Sequence, residues 1–421
     1  MSAALRSRAE MLFRAACAAA DPAQALRAAL RQHPVPDLGA NGRYIVVAVG
    51  KAATAMAGAM LDALEPAPVQ ALVVTNRENR RPLPGAMVMV AGHPVPDQDG
   101  AAAARAVIAL LGAAGAKDRV IALISGGGSA MLPAPAGDLT LADEIAVGRL
   151  LLERGFDIRA ANLVRQQLSR LKGGGMLHFA APAPVTAYIL SDVIGDDLAV
   201  VASGPTVAQI GSVEEARSLI EARGLWLLLP EEVRAHLGRG KASGPAAALP
   251  EARNHLIGSN RKSLEAISAA AADLNPAILC DALVGAVAEA AARIVAAAQD
   301  APRGRPACLI FGGETVVNVV GTGLGGRNQE LALRVALAMP ALGRDWVFLS
   351  GGTDGRDGPT DAAGGIVDAG TAARIRAAGR DGAALLANND SHVALKAAGD
   401  LLLTGATGTN VADVQILLLG P

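Results

Sequence analysis

Aromatic side chains occupy only 2% of the 421 positions, so the 52% apolar content rests on Ala, Val and Leu. Cores must therefore be built from many thin aliphatic layers rather than from a few large rings. Neither sign of charge dominates: 38 Lys and Arg face 39 Asp and Glu, and no basic run occurs that would release counterions from a nucleic acid. Nucleic acid is not an expected partner. Cysteine is nearly absent, with Cys17, Cys280 and Cys308 far apart and without neighbouring His. That spacing suits neither a disulfide framework nor a zinc motif and points to a reducing cytoplasm. No segment reaches the ~18–20 uncharged apolar residues needed to cross a bilayer. Charged residues within 3–30 also interrupt any signal-peptide core, so a soluble protein is expected, beginning with an amphipathic helix packed on the N-terminal domain.

What the chain does have is length for two domains and a repeated alternation of buried runs with helical stretches. Residues 44–49, 71–75, 87–91 and 120–124 read as strands, with helices over 52–64 and 100–111 between them. Helices over 141–154 and 157–172, ended by three glycines, precede a strand at 185–190. This pattern predicts an α/β fold: a larger doubly wound, mostly parallel, Rossmann-like domain. Residues 237–254 read as a surface loop or crossover, followed by a helix from Asn260. Strand-like runs at 308–311, 316–320 and 347–349, separated by glycine-rich turns, define a smaller α/β domain at 303–421. Residues 401–404 and 414–419 are expected to pair around the turn at 405–410. The larger domain then covers 1–250, or extends through the crossover to about 302.

The most telling motif is Ser125-Gly126-Gly127-Gly128-Ser129, directly after the strand 120–124. Consecutive glycines let backbone N–H groups converge on one anion, and a strand's carboxyl end is where α/β sheets bind ligands. Phosphate is the natural guest, with a flexible turn as the plainer reading. Lys51 follows the first strand and opens a helix, where an ammonium and the helix N-terminus both attract anionic oxygen. No G-x-x-x-x-G-K-[ST] sequence occurs, and no G-x-G-x-x-G follows the first strand, which disfavours a P-loop and a nicotinamide site. Asp192, Asp196 and Asp197 lie on a strand-end loop. Asp192 is the first candidate for holding Mg²⁺ or accepting a hydroxyl proton, while Asp196 and Asp197 also suit helix capping. In the second domain Glu314, Arg327, Asn328, Asp354 and Asp361 sit on glycine-rich turns that together resemble one wall of a site. Arg327 there would fork onto a carboxylate or phosphoryl group. His93 is read as packing in a rigid turn and stays off the catalytic set.

In order along the chain, Val49-Gly50-Lys51-Ala52, Gly92-His93-Pro94-Val95-Pro96-Asp97, the 125–129 turn, 191–197 and 203–206 resemble the N-terminal domain of class II glycerate 2-kinases. Gly312-Gly313-Glu314-Thr315, 326–330, 353–355, 358–364 and 404–410 are similar to that family's C-terminal MOFRL domain. The resemblance implies transfer of the ATP γ-phosphoryl group to the 2-hydroxyl of D-glycerate with Mg²⁺, and an active site in a cleft between the domains. Lys51 and Arg327 would then be the principal catalytic cations, and the 125–129 turn would hold the ATP phosphates. Residues 75–80 differ from the Lys- and Gly-His-containing stretch expected after the second strand. An NAD(P)H-dependent hydroxypyruvate reductase and a non-catalytic small-ligand binder are the competing functions, and a homodimer is one of the assemblies left open.

Overall fold

In the computed structural model, which describes residues 2–239, 250 and 252–421, the apolar runs of the first half become strands. These are β1 (Tyr44–Val49), β2 (Val69–Thr75), β3 (Ala86–Val90), β4 (Arg119–Ile124), β5 (Val185–Leu190) and β6 (Ala252–Gly258). They form one sheet in the order β3-β2-β1-β4-β5-β6, and β1 to β5 pair in parallel. Continuous burial along β1 and β5 is what a parallel sheet covered on both faces demands. The strand order reverses direction between β1 and β4, the topological switch point at which open α/β sheets bind ligands beyond their carboxyl ends. A separate helical layer follows β4. Helices Leu141–Glu153, Ile158–Gln167, Val213–Ala222 and Glu231–Gly238 share an aliphatic core that includes Val147, Leu151, Val164, Ile220 and Val233.

A second sheet runs in the order β13-β12-β11-β14-β9-β7 and is mixed. Its strands are β7 (Pro276–Cys280), β9 (Ala307–Gly313), β11 (Trp346–Gly352), β12 (Gly364–Asp368), β13 (Leu401–Leu402) and β14 (Asp413–Leu419). The two-residue strands β8 (Gly285–Ala286) and β10 (Thr315–Val316) pair beside it. Alternation along the strands builds a core on each face. Leu309, Phe311, Phe348, Leu417 and Leu419 meet one set of helices, whereas Cys308, Ile310, Val347, Leu349, Ile416 and Leu418 meet another.

The chain accordingly forms two compact units. One comprises the described residues of 22–191 and 196–257, and the other those of 2–21, 192–195 and 258–421. Four expectations change here. The N-terminal helical region is two helices, Ser2–Ala19 and Pro22–Gln32, and the first packs on the second sheet rather than on the first. Its stripe Ala9, Leu12, Phe13 and Ala16, at helical spacing, fills that sheet's core, and Arg6 pairs with the buried Asp368 and Asp400 at 2.5 and 2.6 Å. Of the run 316–320 only Val316 belongs to a strand, since Val316, Val319 and Val320 are exposed and bury no face. Strands β13 and β14 do not pair, because β12 and β11 lie between them. The expected loop over 237–254 gives way to β6 at Ala252, and its portion at 240–249 and 251 lies outside the described residues.

Phe13 is 1% exposed, and its ring meets the backbone of Gly351 in β11, so no larger residue fits at Gly351. Truncating Phe13 to Ala should lower unfolding stability by about 3–5 kcal/mol, read from the denaturant midpoint. A midpoint equal to that of the unaltered protein would detach this helix from the second core.

Candidate functional site

At the switch point the turns after β1 and β4 are bonded to each other. The Lys51 N–H donates to the Gly126 carbonyl at 2.9 Å, the Ala52 N–H donates to Ser125 Oγ at 3.1 Å, and the Ser125 hydroxyl donates to the Val49 carbonyl at 3.3 Å. Gly50 adopts φ +117°, and a Cβ there would lie 2.3 Å from Ser125 Oγ, so only glycine allows the two turns to close on each other. The Ser125 hydroxyl is thus buried and spent on the joint rather than offered to a ligand. Gly127 at φ +84° turns the chain into the short helix Gly128–Met131. Among the described residues, the amides of Gly126, Gly127, Gly128 and Ser129 find no backbone or side-chain acceptor. Lys51 is half-buried next to them and forms no ion pair within the described residues.

Behind this turn stands the 203–206 motif. Ala202, Ser203 and Gly204 hold successive left-handed conformations, at φ 49°, 63° and 65°. Two of these are non-glycine residues, and each such residue costs about 1–3 kcal/mol of local strain, a cost that proteins concentrate at functional sites. The strain is held by packing and bonding. A Cβ at Gly128 would lie 2.9 Å from Ala202, and the Ser129 hydroxyl is 2.6 Å from the Ser203 hydroxyl, which donates to Asn162 Oδ1 at 2.5 Å. Ser129 therefore orients the turn.

His93 also belongs to this neighbourhood. A Cβ at Gly127 would lie 3.0 Å from its ring. Burial pulls the His93 pKa below its ordinary value, the charge of Lys51 lowers it further, and Glu78 opposes both. The sequence offered His93 only as a packed turn residue, and no local signal showed that its ring rests on the glycine turn. Asp192 is half-buried at the carboxyl end of β5. Of its neighbours, Asp197 is committed to an ion pair with Arg159 and to the Ala199 N–H. Asp197 is thus tied into its own turn, and the short helix that follows, Val201–Ser203, receives no side-chain cap.

In the second unit Arg327 opens the helix Arg327–Ala338 and forks onto Asp413, with Nε at 2.6 Å and a terminal nitrogen at 3.0 Å, while its other terminal nitrogen reaches Glu314 at 2.8 Å. Burial by itself would lower the Arg327 pKa, but the hydrogen bonds and charge of Asp413, with Glu314 and Asp357, raise it above its ordinary value. No local sequence signal marks Asp413 as a site residue. It starts β14 opposite Gly313 of β9 and Gly352 of β11, which brings Glu314, Arg327 and Asp354 to one corner of the sheet. Asn328 instead faces inward, accepting from the Ser350 hydroxyl at 2.6 Å. Asp361 projects outward at 82% exposure. The N-terminus of this helix is already occupied by a carboxylate of the protein, Asp357, which accepts from the amides of Asn328 and Gln329 and from the Gln329 side chain. Burial raises the Asp357 pKa, and those hydrogen bonds act against the rise. Among the described residues no group of three or more His, Cys, Asp or Glu side chains is placed to hold a metal ion.

A doubly wound sheet with an amide-lined turn and an unpaired lysine at its switch point defines the first unit as an α/β domain suited to a phosphorylated ligand. Residues 8–238 match the family described as a domain of unknown function, DUF4147, and residues 307–413 match the MOFRL family. A D-glycerate 2-kinase from Thermotoga maritima is 40% identical over 90% of this chain and 91% of its own length. A protein provisionally named hydroxypyruvate reductase, from Agrobacterium vitis, is 40% identical over 97% of this chain and 93% of its own. The crystal structure of a glycerate kinase from T. maritima superposes with a TM-score of 0.90 at 38% identity, covering 99% of both chains. The chain belongs to the class II glycerate 2-kinase family.

Because the fold holds His93 neutral, protonation opposes folding: the stabilising contribution is present above the ordinary pKa and is lost as pH falls toward the depressed one. Proton NMR should give a His93 midpoint below 6.5, and the Lys51→Ala variant should move that midpoint upward. A midpoint indifferent to Lys51 would place the ammonium elsewhere.

Proposed function

We propose that this chain is an ATP-dependent glycerate 2-kinase that converts D-glycerate to 2-phosphoglycerate. The observation that carries the reading is the joint at the switch point, where Lys51 is bonded through its own amide to the turn whose other amides stay free for an anion. The sequence identity to the T. maritima D-glycerate 2-kinase supplies the acceptor.

Phosphoryl transfer asks a protein mainly for in-line positioning and neutralisation of charge. In this reading the amides of Gly126 to Ser129 bind the nucleotide phosphates, and Lys51 neutralises the charge that grows on the transferring group. Arg327 is the second cation required. Clamped by Asp413 and Glu314, it is kept charged and fixed in orientation, with two of its five N–H donors left over for substrate. Mg²⁺ enters as the substrate MgATP. No three-carboxylate cage is needed, because this ion keeps its waters and phosphate oxygens and takes only one or two protein carboxylates. Asp192 is the carboxylate assigned to meet it or to accept the glycerate hydroxyl proton. We assign the nucleotide to the part covering 1–250 and Arg327 to the part covering 303–421, with Glu314 and Asp354 as its companions.

Work in the cytoplasm is in keeping with three free cysteines, two of which, Cys17 and Cys308, burial pushes up to about 12. No helix among the described residues is long and apolar enough to cross a membrane. A homodimer is the assembly to test by light scattering. The reductase reading finds less support, since the turn after β1 carries no G-x-G-x-x-G sequence for a dinucleotide pyrophosphate.

Incubation with D-glycerate and MgATP should yield 2-phosphoglycerate by phosphorus NMR. Lys51→Ala and Arg327→Ala should each cut turnover by about two orders of magnitude or more. Near-normal turnover in both variants, or direct oxidation of NADH on addition of hydroxypyruvate, contradicts the proposal.

A further inference from the structure

Next to the glycine turn lies a cavity of about 500 Å³ that the phosphate reading leaves unexplained. Gly127, Ser129 and His93 form one side, and the helix Leu141–Glu153 forms the other. Its walls are chiefly apolar, from Pro94, Pro96, Ile145, Leu152, Ile158 and Leu168. A three-carbon hydroxy acid, polar at nearly every atom, would gain nothing from such walls and would fill little of the space. The volume and lining are instead those of a site for a flat, larger, largely apolar group.

One polar pair faces into this space from its buried side. Lys172 and Glu144 have side chains only 8% and 6% exposed, and their charged atoms lie 3.6 Å apart, an ion pair too long for a hydrogen bond. Both Glu144 oxygens are buried and receive no hydrogen bond from the protein. Leaving a buried carboxylate without donors is costly, so the site calls for a ligand that brings N–H or O–H groups. Arg165, also on the cavity wall, adds a cation suited to a phosphorylated ligand. Burial lowers the pKa of Lys172, and the Glu144 charge counters this, so the pair is held together by mutual need as much as by geometry.

We propose that this cavity takes the adenine nucleoside of ATP, with the base between the apolar walls, its exocyclic amine donating to Glu144 and its ring nitrogen accepting from Lys172. The phosphates then run out over Gly127 and Ser129 toward Lys51. Guanine presents the opposite pattern, a carbonyl where adenine has an amine, and would set its oxygen against the Glu144 carboxylate. The pocket therefore selects adenine. This inference rests on the kinase reading for its nucleotide.

Gly148 supplies a clean probe. It lines the cavity from mid-helix, and a Cβ built there meets nothing within 4 Å. Gly148→Leu thus fills the cavity while replacing the poorest ordinary helix former, after proline, with a good one. Isothermal titration calorimetry of the full chain with ADP and GDP should show the unaltered protein preferring ADP by at least about tenfold, and Gly148→Leu weakening ADP by at least about tenfold. In steady-state assays Gly148→Leu should raise the KM for ATP with the KM for glycerate within about twofold, the split that loss of nucleoside binding alone produces. Glu144→Gln, which offers an amide donor to the guanine carbonyl, should bring the ADP preference below about threefold. If breaking the buried pair unfolds that variant, Gly148→Leu carries the test. Unchanged ADP affinity in Gly148→Leu, or equal affinity of the unaltered protein for ADP and GDP, overturns the pocket while the kinase reading stands. Tight ADP binding that Gly148→Leu abolishes, without any 2-phosphoglycerate formed, overturns the kinase reading and keeps the pocket. A protein that binds neither nucleotide overturns both.

Discussion

The hydrogen bond from the Lys51 amide to the Gly126 carbonyl is the constraint on which the first unit's chemistry depends. Neighbouring parallel strands end at the same level, but their turns normally diverge as the helices leave in opposite directions. Here the turns are fastened, with Ser125 plugging the gap that Gly50 leaves open. The fastening fixes a cation beside a row of free amides. Such preorganisation matters because donors already aimed at an anion pay no reorganisation when charge moves onto it.

Strain and packing around that joint have a common direction. The left-handed residues Ala202 and Ser203, the hydroxyl chain from Ser129 through Ser203 to Asn162, and the His93 ring against Gly127 all press on the same five-residue turn. The Ser125 and Ser129 hydroxyls support the turn from behind, which leaves ligand contact to the main chain. In the second unit a parallel logic holds for Arg327. Its orientation is set by Asp413, whose position in turn is set by the register of β14 between β9 and β11.

Much of this was legible in the residues. Strands β1 to β5 announced themselves by continuous apolar runs, and the 125–129 turn and Lys51 by their place after two of those runs. Features that depend on distant partners were not. Nothing near Arg6 signals that it will bond Asp368 and Asp400, more than 360 positions away, so the local sequence points the first helix to the wrong sheet. Asp357 is an unremarkable loop aspartate until the fold brings it to the amides of Asn328 and Gln329. Asp413 sits among apolar residues and acquires its role only by pairing opposite two glycines. Short β12, with two leading glycines, lacks the alternation that marks a strand, and exposed Val319 and Val320 are apolar residues without a face to bury them. Glu144 reads as an ordinary first-turn helix acid, and only the packing of helices around it makes a buried acceptor.

The central claim is that the main-chain amides after β4 grip a nucleotide's phosphates. Amide NMR of protein labelled with ¹⁵N-glycine measures this directly, with MgADP added and the exposed Gly155 and Gly224 as internal references. The account predicts that the Gly126, Gly127 and Gly128 signals move while the references stay in place. Stationary signals from those three glycines under saturating nucleotide would contradict it.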